Sequence, residues 1–283
     1  MKKEIIERQL SEKIDKWTAH MKWRSDYKNW KNIRIWQEKY QEGRLRLLNH
    51  FTEGLKNKKM LEIGCGMGGL SVILAKKGCD ITALDFNLDY LEITKLRASR
   101  YNLNLNLINS TAENLPFNDK SFDIILCYDV LEHTKDPYKV IKEISRVLKP
   151  EGQVYITIIN KYGIKDVHYK LYLVNWMPKR IADFYIKLRN RKKDNKILKD
   201  SQKLSEMHYF SFRRFLRIAD KSGFDLVDLI LERFKNPEKL VKNSELKQKI
   251  KFLKILKLNI TFYKLLRLFY LGSFNFMLTK RKF

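Results

Sequence analysis

Cysteine is scarce in this chain, and long apolar runs are missing. Of 283 residues only three are cysteines, Cys65, Cys79 and Cys127. Their odd number and lack of metal spacing argue against a disulfide framework or a metal cluster, and for reduced thiols in a cytosolic protein. No uninterrupted apolar stretch reaches the roughly 18 residues of a spanning helix; Lys264 and Arg267 break the best candidate. The opening residues, Met1-Lys-Lys-Glu-Ile-Ile-Glu-Arg8, place charges where a secretory peptide needs an apolar core, so no export signal is expected. Acidic residues are also few, 32 against 58 Lys and Arg, for a formal net charge of +26. The imbalance is local: +7 over residues 1–58, −1 over 59–160 and +20 over 161–283. A coding bias toward Lys, Asn and Ile explains part of the total, but not the neutral middle. The positive charge therefore acts through the flanks, mainly the C-terminal half.

What is present begins with Met60-Leu-Glu-Ile-Gly-Cys-Gly-Met-Gly-Gly69. Leu61 and Ile63 predict a buried strand. Gly64, Gly66 and Gly68 let the chain turn tightly beside a ligand, and Leu70 to Lys76 starts a helix whose free amides point at the turn. Gly64-x-Gly66-x-x-Gly69 also satisfies the dinucleotide fingerprint, and Asp85 ends the next apolar run where a ribose hydroxyl needs an acceptor. Glu62 separates the readings. A carboxylate there repels a pyrophosphate but suits a cofactor carrying an ammonium and a sulfonium, as S-adenosylmethionine does.

Leu61 to Gly69, with Thr111-Ala-Glu-Asn-Leu-Pro-Phe117, Ser121-Phe-Asp123, Asp129-Val-Leu-Glu-His133 and Leu148-Lys-Pro-Glu-Gly152 in order, resembles the class I S-adenosylmethionine-dependent methyltransferases. The resemblance is strong over residues 55–160 and looser over 205–232. It implies an α/β fold with a Rossmann-like doubly wound sheet, an expectation that the alternation of strand and helix patterns supports. It also implies cofactor contacts from Glu62, Gly64, Cys65, Gly66, Gly68, Asp85, Phe86, Ala112, Glu113, Cys127 and Tyr128. Thr111 departs from the pattern, standing where such proteins usually have Asp beside the adenine.

The expected organisation is an N-terminal helical cap over 1–58, rich in aromatics (Trp17, Trp23, Tyr27, Trp30, Trp36, Tyr40), and a cofactor-binding core over 59–160. A substrate lid follows over 161–210, then completion of the sheet over 211–235 and a basic amphipathic C-terminal helical tail over 236–283. Strands are expected at Leu103–Ile108, Phe122–Cys127, Val154–Ile159 and Phe224–Leu231, the last being half of a hairpin whose partner the sequence does not reveal. Lys249 to Leu271, with lysines at 251, 254 and 257, reads as one amphipathic helix that could lie on an anionic membrane surface or pack on the domain.

Of five histidines, His133, His168 and His208 are the candidates for a general base; His20 and His50 are not near the expected site. An imidazole at His133 can take a proton from an acceptor hydroxyl; the Glu132-His133 pair can equally just organise its loop. His168 and His208 flank the lid, where each can act as base, substrate donor or packing residue. The lid, with Asp166-Val-His168-Tyr169 leading into Trp176-Met-Pro-Lys-Arg180, resembles that of methyltransferases of cell-surface glycan and glycolipid assembly. Its aromatics can stack on sugars, and Lys179 and Arg180 can meet a phosphate. Structural packing is the expected role for most of Trp176, Phe184 and Tyr185. The acceptor expected is thus a sugar of a surface glycan or lipid-linked precursor, methylated on oxygen by a cytoplasmic enzyme on the inner face of the membrane. The alternatives are a small lipophilic phenol or quinone precursor, and a non-catalytic membrane- or RNA-binding protein on this fold. A nucleic-acid substrate is not expected, because the chain lacks both an amino-methylating Asn/Asp-Pro-Pro-Tyr motif and a catalytic cysteine motif.

Overall fold

Met60, Leu61 and Ile63 have no exposed surface, and the strand they build, β1 (Lys59–Ile63), runs through the middle of a seven-stranded sheet. The computed structural model describes residues 2–22, 25–191 and 202–282; Trp23 and the basic residues 192–201 lie outside them. Three helices, α1 (Lys2–Thr18), α2 (Tyr27–Ile35) and α3 (Glu42–Phe51), precede β1. After it come α4 (Gly69–Lys76), β2 (Asp80–Asp85), α5 (Leu88–Ser99), β3 (Asn106–Asn109), β4 (Phe122–Cys127), α6 (Pro137–Val147) and β5 (Leu148–Ile159). The C-terminal half adds α7 (Lys179–Arg191), α8 (Phe212–Lys221), β6 (Phe224–Asp228), α9 (Leu229–Lys235), α10 (Pro237–Leu240), α11 (Ser244–Ile255), α12 (Asn259–Phe269) and β7 (Ser273–Lys280).

The strand order is β3-β2-β1-β4-β5-β7-β6, parallel except for β7, which is antiparallel to both neighbours. The order reverses between β1 and β4, and ligands of open α/β sheets bind at such a switch point, beyond the strands' carboxyl ends. Alternation sorts the side chains onto two covered faces. Ile125 and Cys127 of β4, Val154, Ile156 and Ile158 of β5, and Phe274, Phe276 and Leu278 of β7 face a core that includes α6 and α8. Ile124, Leu126, Tyr155 and Met277 face the other, with α3, α4 and α9. Helix starts follow local chemistry. Asp136 accepts from the amides of Tyr138 and Lys139 ahead of Pro137, and Asn87 accepts from Asp89.

The N-terminal helices are latched to α5 by a buried ion network. Arg97, fully buried, donates to Glu38 at 2.5 Å and to the carbonyls of Met67 and Ile35 at 2.7 and 2.8 Å; Arg100 donates to the other Glu38 oxygen at 2.9 Å. Burial pushes the Glu38 carboxyl up, but Arg97 and its hydrogen bonds hold it below its usual range. The Met67 contact ties the same network to the glycine turn.

Several expectations are corrected. The missing half of the hairpin is β7, at the far end of the chain, so residues 211–235 do not complete the sheet and 236–283 is not only a helical tail. The strand at 224 stops at Asp228, whose carboxylate caps α9 by accepting from Ile230 and Leu231. The single helix of 249–271 is two, α11 and α12, broken where Lys257 takes a left-handed backbone (φ 56°). β5 starts at Leu148 rather than Val154, with a register irregularity opposite Phe122 and Ile124, and β3 begins at Asn106 rather than Leu103.

Candidate functional site

The three turn glycines have different jobs. A Cβ on Gly64 (φ 68°) would lie 2.4 Å from Val130 Cγ2, and one on Gly68 (φ 74°) 2.3 Å from Thr94 Cγ2, so both are required by packing. Gly66 (φ 53°) has nothing within 4 Å on that side: its α-carbon faces open space. The Gly66 amide donates to Asp85 at 2.8 Å, and the other Asp85 oxygen accepts from Asn87 at 2.9 Å. Asp85 therefore shapes the turn while standing, almost fully buried, at the end of β2; burial pushes its carboxyl up. Glu62, also buried, accepts a hydrogen bond from the Ser71 hydroxyl, and desolvation pushes its carboxyl up to about 7.

Over Gly66 opens a cavity of about 680 Å³. One wall comes from the N-terminal helices, with Trp17, Arg34, Gln41 and Arg44; the opposite side carries Thr157, Ser273 and Asn275 from β5 and β7 and Arg233 from α9. Tyr128 and Asp129, past the end of β4, lie between them. Arg44 donates to Asp129 at 3.1 Å, and its guanidinium sits 4.3 Å from the centre of the Tyr128 ring. Asp129 takes φ 59°, and burial raises its carboxyl. The Tyr128 hydroxyl is buried without a hydrogen-bond partner, and burial raises its pKa too. No motif marked Arg44, Arg233, Ser273 or Asn275. Only the helical spacing of 42–51 hinted at the first, and nothing local signals the rest.

Other expected contacts fall differently. Phe86 is 72% exposed beside Asp85, with its carbonyl held by the Asn109 amide at 2.9 Å, so its ring is free to cover a ligand. Ala112 is buried in the core, and Glu113 accepts from the Lys135 amide at 2.7 Å, which engages its carboxylate in the loop before α6. The Cys127 side chain has no exposed surface and packs among Leu61, Ile125 and their neighbours, and Cys65 packs against Ala83 and Leu91. Burial raises both thiols.

The histidines converge. Glu132, 1% exposed, has no hydrogen-bond partner on either carboxylate oxygen. His168 Nε2 stands 3.5 Å and His133 Nε2 3.8 Å from Glu132 Oε1, and the two rings meet edge-on at 5.1 Å. His133 Nδ1 pairs with Gln202 Oε1 at 3.0 Å. His208 joins through its backbone, its amide donating to the Glu132 carbonyl at 3.0 Å. Asp166 builds the turn that presents His168, accepting from the amides of His168 and Tyr169 and from the Tyr209 hydroxyl. One ligand atom each from Glu132, His133 and His168 lies within 4.8 Å of the others, a set that could also hold a metal ion. Asp129, which lines the cavity and precedes Glu132 by three residues, links this group to it.

The lid has its own small core of Val174, Ala182, Ile186, Leu204 and Met207. Lys179 donates to the carbonyls of Ser205 and Met207 at 3.0 and 3.1 Å, so it ties α7 down and does not wait for a phosphate. Of the three lid aromatics expected mostly to pack, Trp176 and Phe184 are 51% and 68% exposed, and Tyr185 packs against the lid core.

Residues 61–156 match the family model described as a methyltransferase domain. The match spans β1 to β5 and so includes Glu62, Gly66, Asp85, Tyr128, Glu132 and His133, but neither the N-terminal helices nor His168. Among curated proteins, the chain is 35% identical over 134 residues to a ubiquinone biosynthesis O-methyltransferase of Coxiella burnetii, covering 46% of this chain and 57% of that one. It is 37% identical over 119 residues to its counterpart from Vibrio atlanticus, covering 42% and 50%. The chain thus spans about half the length of the curated relatives it matches. Among solved structures, the YcgJ protein from Bacillus subtilis superposes with a TM-score of 0.51 at 18% identity, over 84% of this chain and 98% of that one. An S-adenosylmethionine-dependent methyltransferase from Methanosarcina mazei gives 0.51 at 18%, over 83% and 97%. The fold is the class I methyltransferase fold.

Proposed function

We propose that the protein transfers a methyl group from S-adenosylmethionine to a hydroxyl of a small lipophilic phenol. The observation that carries the reading is the cavity over Gly66, walled by aromatic and polar side chains, with Asp129 in its lining three residues before Glu132 of the Glu132, His133 and His168 group. The residues suit the cofactor: Asp85 for the ribose diol, ionised Glu62 for the ammonium, Arg44 for the carboxylate, and the bare Gly66 α-carbon for close approach. Bound there, S-adenosylmethionine supplies an electrophilic methyl. His133 or His168 would take the acceptor's hydroxyl proton as the oxygen–carbon bond forms and the sulfonium–methyl bond breaks, S-adenosylhomocysteine being the leaving group, and buried Glu132 would stabilise the imidazolium. The rest is positioning, which alone is worth several orders of magnitude. The relatives' printed name, ubiquinone biosynthesis O-methyltransferase, supports a phenolic acceptor. The sugar reading loses its main support, since Lys179 is engaged internally and the lid aromatics face outward. Incubation with methyl-labelled cofactor and a panel of catechols is expected to label oxygen in wild type and not in Gly66→Arg; cofactor binding without transfer to any phenol would sink the proposal.

We further propose that the protein works against an anionic membrane surface. Trp176 lies 5.5 Å from Phe269, joining the lid to α12, and Phe184, Leu265, Phe269 and Tyr270 are each more than 40% exposed. Lys264 and Arg267 sit on the same helix, within the half of the chain that carries +20. Aromatics with basic residues around them suit the headgroup layer, and that charge selects anionic lipid over neutral. Among the described residues no helix is long and apolar enough to cross a membrane.

A further inference from the structure

Two residues lining the same cavity carry a buried hydrogen-bond donor with nothing to bond. Arg233 Nε is buried and unpartnered, and no described residue forms an ion pair or hydrogen bond with its guanidinium. The Tyr128 hydroxyl, lining the same space, is buried and unpartnered as well. The nearby acids are taken: Asp129 pairs with Arg44, and Glu62 accepts from Ser71. Arg46, close by, is itself paired with Glu42 at 3.0 Å. A half-buried guanidinium with no anion beside it is left to be met by water or by an anionic ligand entering the cavity. Arg233 is held on α9 by the buried flanks Leu229 and Phe234, so it cannot easily swing out to solvent.

We propose that Arg233, with the Tyr128 hydroxyl, forms an anion subsite that recognises a carboxylate or phosphate on the methyl acceptor. The cofactor's own carboxylate has a separate cation in Arg44, beside Asp129 and the glycine turn. The acceptor is thereby narrowed to an acidic phenol, its anionic group anchored at α9 and its hydroxyl presented toward Gly66. The inference rests on the methyl-transfer reading for its biological meaning, but its test reads binding alone.

Binding of 3,4-dihydroxybenzoate, its uncharged amide 3,4-dihydroxybenzamide, and phenyl phosphate would be measured by calorimetry on the full chain saturated with S-adenosylhomocysteine. Wild type is expected to bind the benzoate at least about tenfold more tightly than the amide. Phenyl phosphate binding more tightly than the benzoate would assign the site to phosphate, and the reverse to carboxylate. Arg233→Met is expected to abolish the preference, Arg233→Lys to retain part of it, and Tyr128→Phe to weaken the anions alone. S-adenosylhomocysteine affinity should stay within about twofold in Arg233→Met. Loss of S-adenosylhomocysteine binding in that variant would mean that Arg233 serves the cofactor and would overturn the proposal. So would equal binding of acid and amide by wild type, absence of binding by either, or a preference that survives in Arg233→Met. Discrimination without methyl transfer would leave the subsite standing and remove only the enzymatic reading.

Discussion

At Gly66 the backbone is left-handed and the missing Cβ opens onto the cavity, so a side chain there has a defined double effect. Gly66→Arg should cost about 1–2 kcal/mol in stability from the left-handed conformation. It should weaken S-adenosylmethionine binding by about 100-fold or more, roughly 2.7 kcal/mol. A urea melt and calorimetric titration read the two separately. Glu62 makes a second prediction. Its carboxyl is lifted from 4.5 to about 7 by burial, so between those values the folded protein keeps a proton that the unfolded chain has lost. Stability then falls as pH rises through that window, by about 3 kcal/mol in total, and levels off above it. Glu62→Gln should remove this component, visible as a wild-type-minus-variant difference in ΔG that changes between pH 5 and 7 and not between 7.5 and 8.5. An ammonium beside Glu62 favours the ionised form, so cofactor affinity should increase toward pH 7 in wild type and stay flat in the variant.

The element with the largest consequence is β7. It pairs with β5 over seven residue pairs and with β6 over five, and Phe274, Phe276 and Leu278 enter the core with at most 1% exposure. Removal of residues 273–282 should therefore prevent folding altogether, with loss of the cooperative melt seen by circular dichroism. The milder Phe276→Ala should cost about 3–5 kcal/mol in urea denaturation. β7 was invisible in the sequence because Phe274-Asn-Phe-Met-Leu is short and follows two basic amphipathic helices. Its pairing with β5 spans more than a hundred residues and leaves no local signal. By contrast β1, α4, β2 and β4 were legible: each is a buried apolar run ending at a glycine, an acid or a motif residue. The break between α11 and α12 was missed because Ile255-Leu-Lys-Leu258 continues the amphipathic pattern through a left-handed Lys257.

For the whole molecule, the uneven charge and the outward-facing aromatics of the lid and α12 predict salt-sensitive partition onto lipid. Vesicles containing about one-third anionic lipid should carry the protein in flotation at low salt, neutral vesicles much less, and higher salt should release it as the surface potential is screened. Phe184→Glu with Leu265→Glu should reduce flotation several-fold while leaving the melting curve nearly unchanged, since both side chains are mostly exposed. Equal flotation with neutral and anionic vesicles, or full flotation of the double variant, would count against the membrane role.

The sequence alone determined the class of fold, the glycine turn with its two carboxylates, and the charge asymmetry, because each depends on residues adjacent in the chain or on composition. Tertiary structure decided which glycine faces the ligand, and that Cys65, Cys127 and Glu113 turn their side chains elsewhere. It decided that His133 and His168 meet over Glu132, and that Arg44, Arg233, Ser273 and Asn275 line one cavity. Those facts join α3, β4, α9 and β7, up to 231 positions apart in numbering from Arg44 to Asn275. No local periodicity encodes such a meeting; it follows from the order in which a twisted sheet brings its strands and their flanking helices together.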